Sequence, residues 1–203
     1  PGGDIVLAAG KKIEIVHAAN PSMRIEVAAP ENEALNVGKL VAAGGRINMA
    51  GSALRISGAV SADAAVVENG KVAFRRSSTH AREDVAGSVN LKPTTSLSVE
   101  PGASITADGP AAGSVTLESG GDLSLQLDAR VSASGAIGGA VAAKAETGAL
   151  IAQGVVAATG SDGPGGSVRF QGNRVALLQR SRTDASGTEG GGVVLVGGGL
   201  QGH

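Results

Sequence analysis

The chain of 203 residues contains no cysteine, tryptophan or tyrosine, and only two phenylalanines, Phe74 and Phe170. Without cysteine there is no disulfide, no thiolate metal site and no cysteine nucleophile. Without tryptophan and tyrosine the large side chains on which most globular cores rely are missing. Valine, isoleucine, leucine and alanine must fill the interior, which suits a narrow interior lined by aliphatic columns. An excess of charge of one sign is lacking too. The 17 basic and 18 acidic residues leave a formal net charge of −1, too little to steer nucleic acid or an anionic membrane toward the protein. Arg75, Arg76, Arg82, Arg180 and Arg182 form local clusters only. No run reaches the roughly 18 apolar residues of a spanning helix. There is no N-terminal signal segment, and the start at Pro1 inside a glycine turn is that expected of a piece of something longer.

Glycine, by contrast, is abundant, at 33 residues, and it keeps time. A phrase of glycine, small residue, β-branched residue, any residue and apolar residue recurs as GSVNL from 87, GSVTL from 113, GGAVAA from 138, GGSVRF from 165 and GGVVL from 191. Its valines, Val89, Val115, Val141, Val168 and Val193, are separated by 26, 26, 27 and 25 residues. Two further columns share the beat. One is Leu97, Leu123, Ala149 and Val175, each followed two residues later by Val99, Leu125, Ile151 or Leu177; the other is Ile105, Val131, Val156 and Thr183. A period in the twenties with alternating apolar residues and glycine punctuation predicts a solenoid. The expected fold is all-β: a right-handed parallel β-helix with three short strands per coil of 25–27 residues. Gly3, Gly45, Gly70, Gly87, Gly113, Gly139, Gly166 and Gly191 are the expected corners, and Ile47, Val72, Val89, Val115, Val141, Val168 and Val193 the expected stacked core.

Taken in order, residues 1–74 read as coils. Ile5 to Ile47 is too long for one plain coil, so either two short coils or one coil with a projecting hairpin, near residues 20–34, occupies this part; the hairpin is preferred. Residues 75–87, charged and poor in apolar side chains, cannot fill inward positions and read as a surface loop joining two blocks. Residues 88–203 read as regular coils, with both ends open.

Candidate sites are few. His17, His80 and His203 are far apart and have no partner at metal-ligand spacing. Asp63, Asp108, Ser134, Thr159 and Ser186 recur after the third strand, where such residues fix turns by bonding to backbone; ion binding is the alternative for that column. Glycan-degrading β-helices need clustered carboxylates and aromatic sugar platforms. Here the acids are dispersed, so no enzyme, no catalytic residue, no cofactor and no metal is expected. If any loop meets a ligand or partner, the candidates are Arg75, Arg76, His80 and Arg82, or the hairpin.

Residues 2–51, with EALN at 33–36 and GGRI at 44–47, resemble the later part of the secretion domain of two-partner secretion exoproteins, the filamentous-haemagglutinin-like adhesins. Residues 165–202, with ASG at 185–187, are similar to the coils that follow that domain. The family's front end, with its signal peptide and the Asn-Pro motifs read by the transporter, has no counterpart here, and Asn20-Pro21 is not one of those motifs. The resemblance implies a structural segment of a secreted, rod-like adhesin at the surface of a Gram-negative bacterium. Its partner would be an outer-membrane transporter, engaged through upstream sequence. An uncapped β-helix also suggests the alternative of a filament subunit stacked head to tail.

Overall fold

The computed structural model describes residues 4–8, 13–17, 20–27, 33–36, 38–64, 66–68, 71–73 and 86–197. These residues are all strand and turn, with no helix. In chain order the strands are β1 (Asp4–Ala8), β2 (Ile13–His17), β3 (Asn20–Val27), β4 (Glu33–Asn36), β5 (Lys39–Val41), β6 (Arg46–Ile56) and β7 (Ala59–Ser61). There follow β8 (Val66–Glu68), β9 (Lys71–Ala73), β10 (Ser88–Val99), β11 (Ser104–Thr106), β12 (Ser114–Ser119), β13 (Asp122–Leu125) and β14 (Arg130–Ser132). The last are β15 (Ala140–Ala152), β16 (Val155–Ala157), β17 (Ser167–Leu177), β18 (Arg182–Asp184) and β19 (Val193–Gly197).

Two sheets hold the structure, and every strand pair within them is parallel. The nine-stranded sheet runs β1-β6-β10-β12-β15-β17-β19, with β4 beside β6 and with β13 between β10 and β15; the six-stranded sheet runs β18-β16-β14-β11-β7-β5. Each repeat thus lies on its predecessor in sequence, an arrangement consistent with a parallel β-helix. The expected three short strands per repeat merge in part: the first two are continuous in β6, β10, β15 and β17, and are separate as β1 and β4 in the first repeat and as β12 and β13, across Gly120 and Gly121. In β10 and β15 the bend between them shows as a register shift, between Pro93 and Ser96 and between Ala145 and Ala149.

Alternation explains the core. Ile47, Val89, Val115, Val141 and Val168 stand opposite one another in register and are buried. Met49, Leu91, Leu117, Ala143 and Phe170 form the neighbouring column, in which small Ala143 lies directly beneath Phe170, the bulkiest buried side chain. That pairing of small and large keeps the interior filled without strain. Val60, Ile105, Val131, Val156 and Thr183 make the third column as expected. Each buried Val or Leu contributes roughly 1.5–3 kcal/mol.

Several expected positions move. Val72 is not in the stack: it pairs antiparallel with Val67 in the β8–β9 hairpin, and the strand lying on Ile47 brings Val89. Val193 is displaced by Val194, which lies opposite Val168. In the second column Leu150 and Ala152 replace Ala149 and Ile151; Ile151 points outward at 38% exposure. Ile5 to Ile47 and Ile47 to Val89 are both 42 residues apart in register. Each of these long repeats carries an antiparallel hairpin outside the two sheets: β2–β3 in the first, at 13–27 instead of 20–34, and β8–β9 in the second. In the first repeat β4 already belongs to the stack, bonded to β6. Gly3 and Gly70, and the candidate loop residues Arg75, Arg76, His80 and Arg82, lie outside the described residues. Across that loop β6 and β10 are direct neighbours in one sheet.

Candidate functional site

Two ladders run along the stack, one of bare backbone and one, from Asp63 to Thr159, of side chains. The first is the corner ahead of each long strand. Gly87, Gly113, Gly139, Gly166 and Gly192 occupy it, and a Cβ on any of them would overlap the carbonyl oxygen of the corner glycine one repeat earlier. That carbonyl is in use: Gly45, Gly87, Gly113, Gly139 and Gly166 accept from the N–H of Ser88, Ser114, Ala140, Ser167 and Val193 at 2.9–3.2 Å. The corner N–H in turn donates to an alanine of its own repeat, Ala62, Ala107, Ala133, Ala158 or Ala185. Only a residue without a side chain lets the chains approach this closely. Gly191, the expected corner, has open space around it; Gly192 is the true one.

A second corner, after the long strands, is closed by a turn whose third position has positive φ. Gly102, Asp128 and Arg180 hold it, with φ of 75°, 61° and 78°. The residue after each donates back to Glu100, Gln126 or Leu178. Glycine is the unstrained choice there, and aspartate is among the side chains that tolerate it best. Sequence periodicity missed this turn because three different residue types fill it.

The side-chain ladder is the column of Asp63, Asp108, Ser134 and Thr159. An Asp63 carboxylate oxygen accepts from the Asp108 N–H at 2.7 Å, Asp108 accepts from the Ser134 N–H at 2.7 Å, and the Ser134 hydroxyl oxygen accepts from the Thr159 N–H at 3.1 Å. Neighbouring hydroxyls complete the carboxylates: Ser61 and Thr106 donate to Asp63, and Ser132 donates to Asp108 at 2.6 Å. Asp63, Asp108 and Ser134 thus each tie their own repeat to the next. Asp108 is buried, so Asp108→Ala is expected to leave the Ser134 N–H without its acceptor and the Ser132 hydroxyl with only the Ser134 hydroxyl oxygen, at 3.2 Å, lowering unfolding free energy by about 1–3 kcal/mol. Asp108→Asn keeps an acceptor and should lose less; equal losses in urea unfolding would assign the effect to charge instead.

Asn36, within the EALN phrase, works similarly at the start of the stack. It is buried, its side-chain oxygen accepts from the Gly38 N–H at 3.1 Å, and its side-chain amide donates to the Ala59 carbonyl at 3.3 Å. At the surface, Arg46 pairs with Asp4, holding that carboxyl below its ordinary range chiefly through the hydrogen bond, while Ser186 does the same for Asp184. Glu146 raises Lys144 by a hydrogen bond. Such exposed pairs contribute little stability. A depression of about 370 Å³ on the nine-stranded sheet is lined by Val6, Asn48, Ala50, Asn90 and Lys92 among others, but Asn90 donates to Asn48 and Lys92 pairs with Glu118. Among the described residues no group of three or more His, Cys, Asp or Glu could hold a metal ion, and no helix is long and apolar enough to cross a membrane. His17 lies in β2, and His80 and His203 lie outside the described residues.

No family model and no curated protein matches the chain. Among solved structures it is similar to the HMW1 secretion domain from Haemophilus influenzae, with a TM-score of 0.62 and 22% sequence identity over 96% of this chain. The match spans 57% of that structure, and what it shows is a shared fold.

Proposed function

We propose that this chain is a structural segment of a secreted bacterial exoprotein of the two-partner secretion type, forming part of a rod-like adhesin that holds a binding region away from the cell. The observation that carries the reading is the shared fold with a secretion domain, taken with the EALN and GGRI phrases, which fall on β4 and on the corner entering β6. The proposed form is a right-handed parallel β-helix with three faces, each coil adding about 4.8 Å of length. Repeats that contact only their neighbours can fold one after another, which suits a chain emerging from an outer-membrane transporter and folding outside without an energy source. The reading assigns no catalysis: Asp63 and Asp108, carboxylates of successive repeats, are occupied with backbone and hydroxyl donors.

The test is export. Fused behind a secretion domain with its own transporter, the chain should reach the medium protease-resistant, and only when the transporter is present. Retention in the periplasm, or release as a protease-sensitive chain, would sink the reading. Electron microscopy of the released material over a concentration series addresses the filament alternative. Fibres whose axial repeat is one chain would favour that alternative.

A further inference from the structure

We propose that residues 65–85 are a separable segment, mounted in place of the two-residue tip of one corner and not needed by the stack that carries it; the inference is independent of the functional reading above. The corner lies after the third strand of its repeat, between β7 and β10, and it matches position by position the corner of the next repeat, between β11 and β12.

In that next repeat Asp108, Gly109, Pro110, Ala111 and Ala112 separate Ala107 from Gly113. Three of these five have counterparts that make the same bonds. Asp63 stands for Asp108, each carboxylate accepting from the backbone N–H of the column residue one repeat on, Asp108 or Ser134, at 2.7 Å. Ala64 stands for Gly109: the Ala64 N–H donates to the Asp108 carbonyl at 2.9 Å, and the Gly109 N–H to the Ser134 carbonyl at 3.1 Å. Ala86 stands for Ala112, their N–H groups donating to the carbonyls of Ala111 and Ile137 at 3.0 and 3.4 Å. The corner glycines then close alike, Gly87 on Ala62 at 2.8 Å and Gly113 on Ala107 at 3.0 Å. What is left over is Pro110 with Ala111 in one repeat and residues 65–85 in the other.

The chain also leaves and returns at one place. A Cβ on Gly109 would lie 2.7 Å from the Ala64 Cβ and 3.3 Å from the Ala86 Cβ, so both ends of the excursion rest on the same glycine of the next repeat. The strands within the excursion, β8 and β9, pair with each other and with neither large sheet. The first long repeat is built the same way at a different corner. Ala8 lies opposite Ala50 and Glu33 opposite Ala53, so residues 9–32, which include β2 and β3, occupy the place that Gly51 and Ser52 fill in the next repeat. Where entry and exit adjoin, lengthening a loop costs little, because the entropy of closing it grows only slowly with length. The corner is fixed by Asp63, Ala64, Ala86 and Gly87, and its tip is the mount on which the fold carries an added segment outside both sheets.

The test is excision from the full chain. With residues 65–85 replaced by Pro-Ala, the tip of the next repeat, the chain should keep a single cooperative melt at or above the temperature of the parent, since the shorter loop closes at lower entropic cost. Amide exchange should find Ala64, Ala86 and Gly87 as protected as before. The control removes residues 63–86 and puts the same Pro-Ala in their place. It takes away the Asp63 carboxylate and the N–H groups of Ala64 and Ala86, and should melt at least about 5 °C below the parent. An excised chain that melts more than about 5 °C below the parent, or that loses protection at Ala64, Ala86 or Gly87, overturns the proposal. A control that melts with the parent overturns it too, because the corner would then not depend on the residues that bound the segment.

Discussion

Val115→Asp is expected to abolish cooperative folding, while Thr116→Asp, one residue away, leaves the melting curve nearly unchanged. Val115 is fully buried between Val89 and Val141, its register partners in the repeats on either side. An aspartate there finds only aliphatic neighbours in the column, and neither its charged nor its protonated form has a partner to offset lost hydration. The loss of about 4 kcal/mol or more is a large part of the 5–15 kcal/mol that holds a typical domain together. It also falls in the middle of the stack, so the repeats on either side lose their mutual support. Thr116 lies on the outer face between Asn90 and Ala142, where a change should stay within about 0.5 kcal/mol. Circular dichroism melts of the two variants decide the matter; equal stability would mean that inward and outward have been exchanged.

That pair is chosen from a pattern visible in the sequence, and the reason it was visible is physical. From Val89 to Val168 the repeats are uninterrupted, each inward residue has a counterpart 25 to 27 residues on, and burial makes the alternation strict. The pattern blurs where a different constraint takes over. Val72 reads as a column member because it alternates like one, yet it belongs to a hairpin outside the two sheets, and only the 17 residues left before Val89 betray it. Ala149 and Leu150 are confused because the bend in β15 absorbs one residue more than that between β12 and β13, and two more than that in β17, a register shift that apolar neighbours on both sides conceal. Val193 and Val194 are confused because both are aliphatic and both follow a glycine run. The corner glycines Gly87, Gly113, Gly139 and Gly166 and the Asp63, Asp108 and Ser134 turn column were legible by residue type, whereas Gly191 falls one residue short of the corner at Gly192. That the column bonds upward to the next repeat was not, because a turn residue within one repeat looks the same in sequence as one that links two.

Gly113→Ala is the second large effect expected, and its size comes from backbone alone. The added methyl would overlap the Gly87 carbonyl oxygen and stand 3.0 Å from the Ala86 carbonyl group. No side chain can give way there, so β12 must lift from β10, and the first bond to stretch is that from the Ser114 N–H to the Gly87 carbonyl, now 3.2 Å. Overpacking of this kind costs about 3 kcal/mol or more when only backbone can relax. Gly38→Ala is the matched control, since a Cβ there has nothing within 4 Å and its φ lies outside the left-handed region. By limiting the unfolded chain it should stabilise by about 0.4–1 kcal/mol. Urea midpoints should therefore move in opposite directions for the same chemical change. Amide exchange localises the cause: Ser114 should lose protection in Gly113→Ala well before the interior of β15 does. If both variants shift the midpoint alike, the corner is not a close backbone contact, and the 26-residue beat of glycine would need another explanation, because nothing else at that corner excludes a side chain.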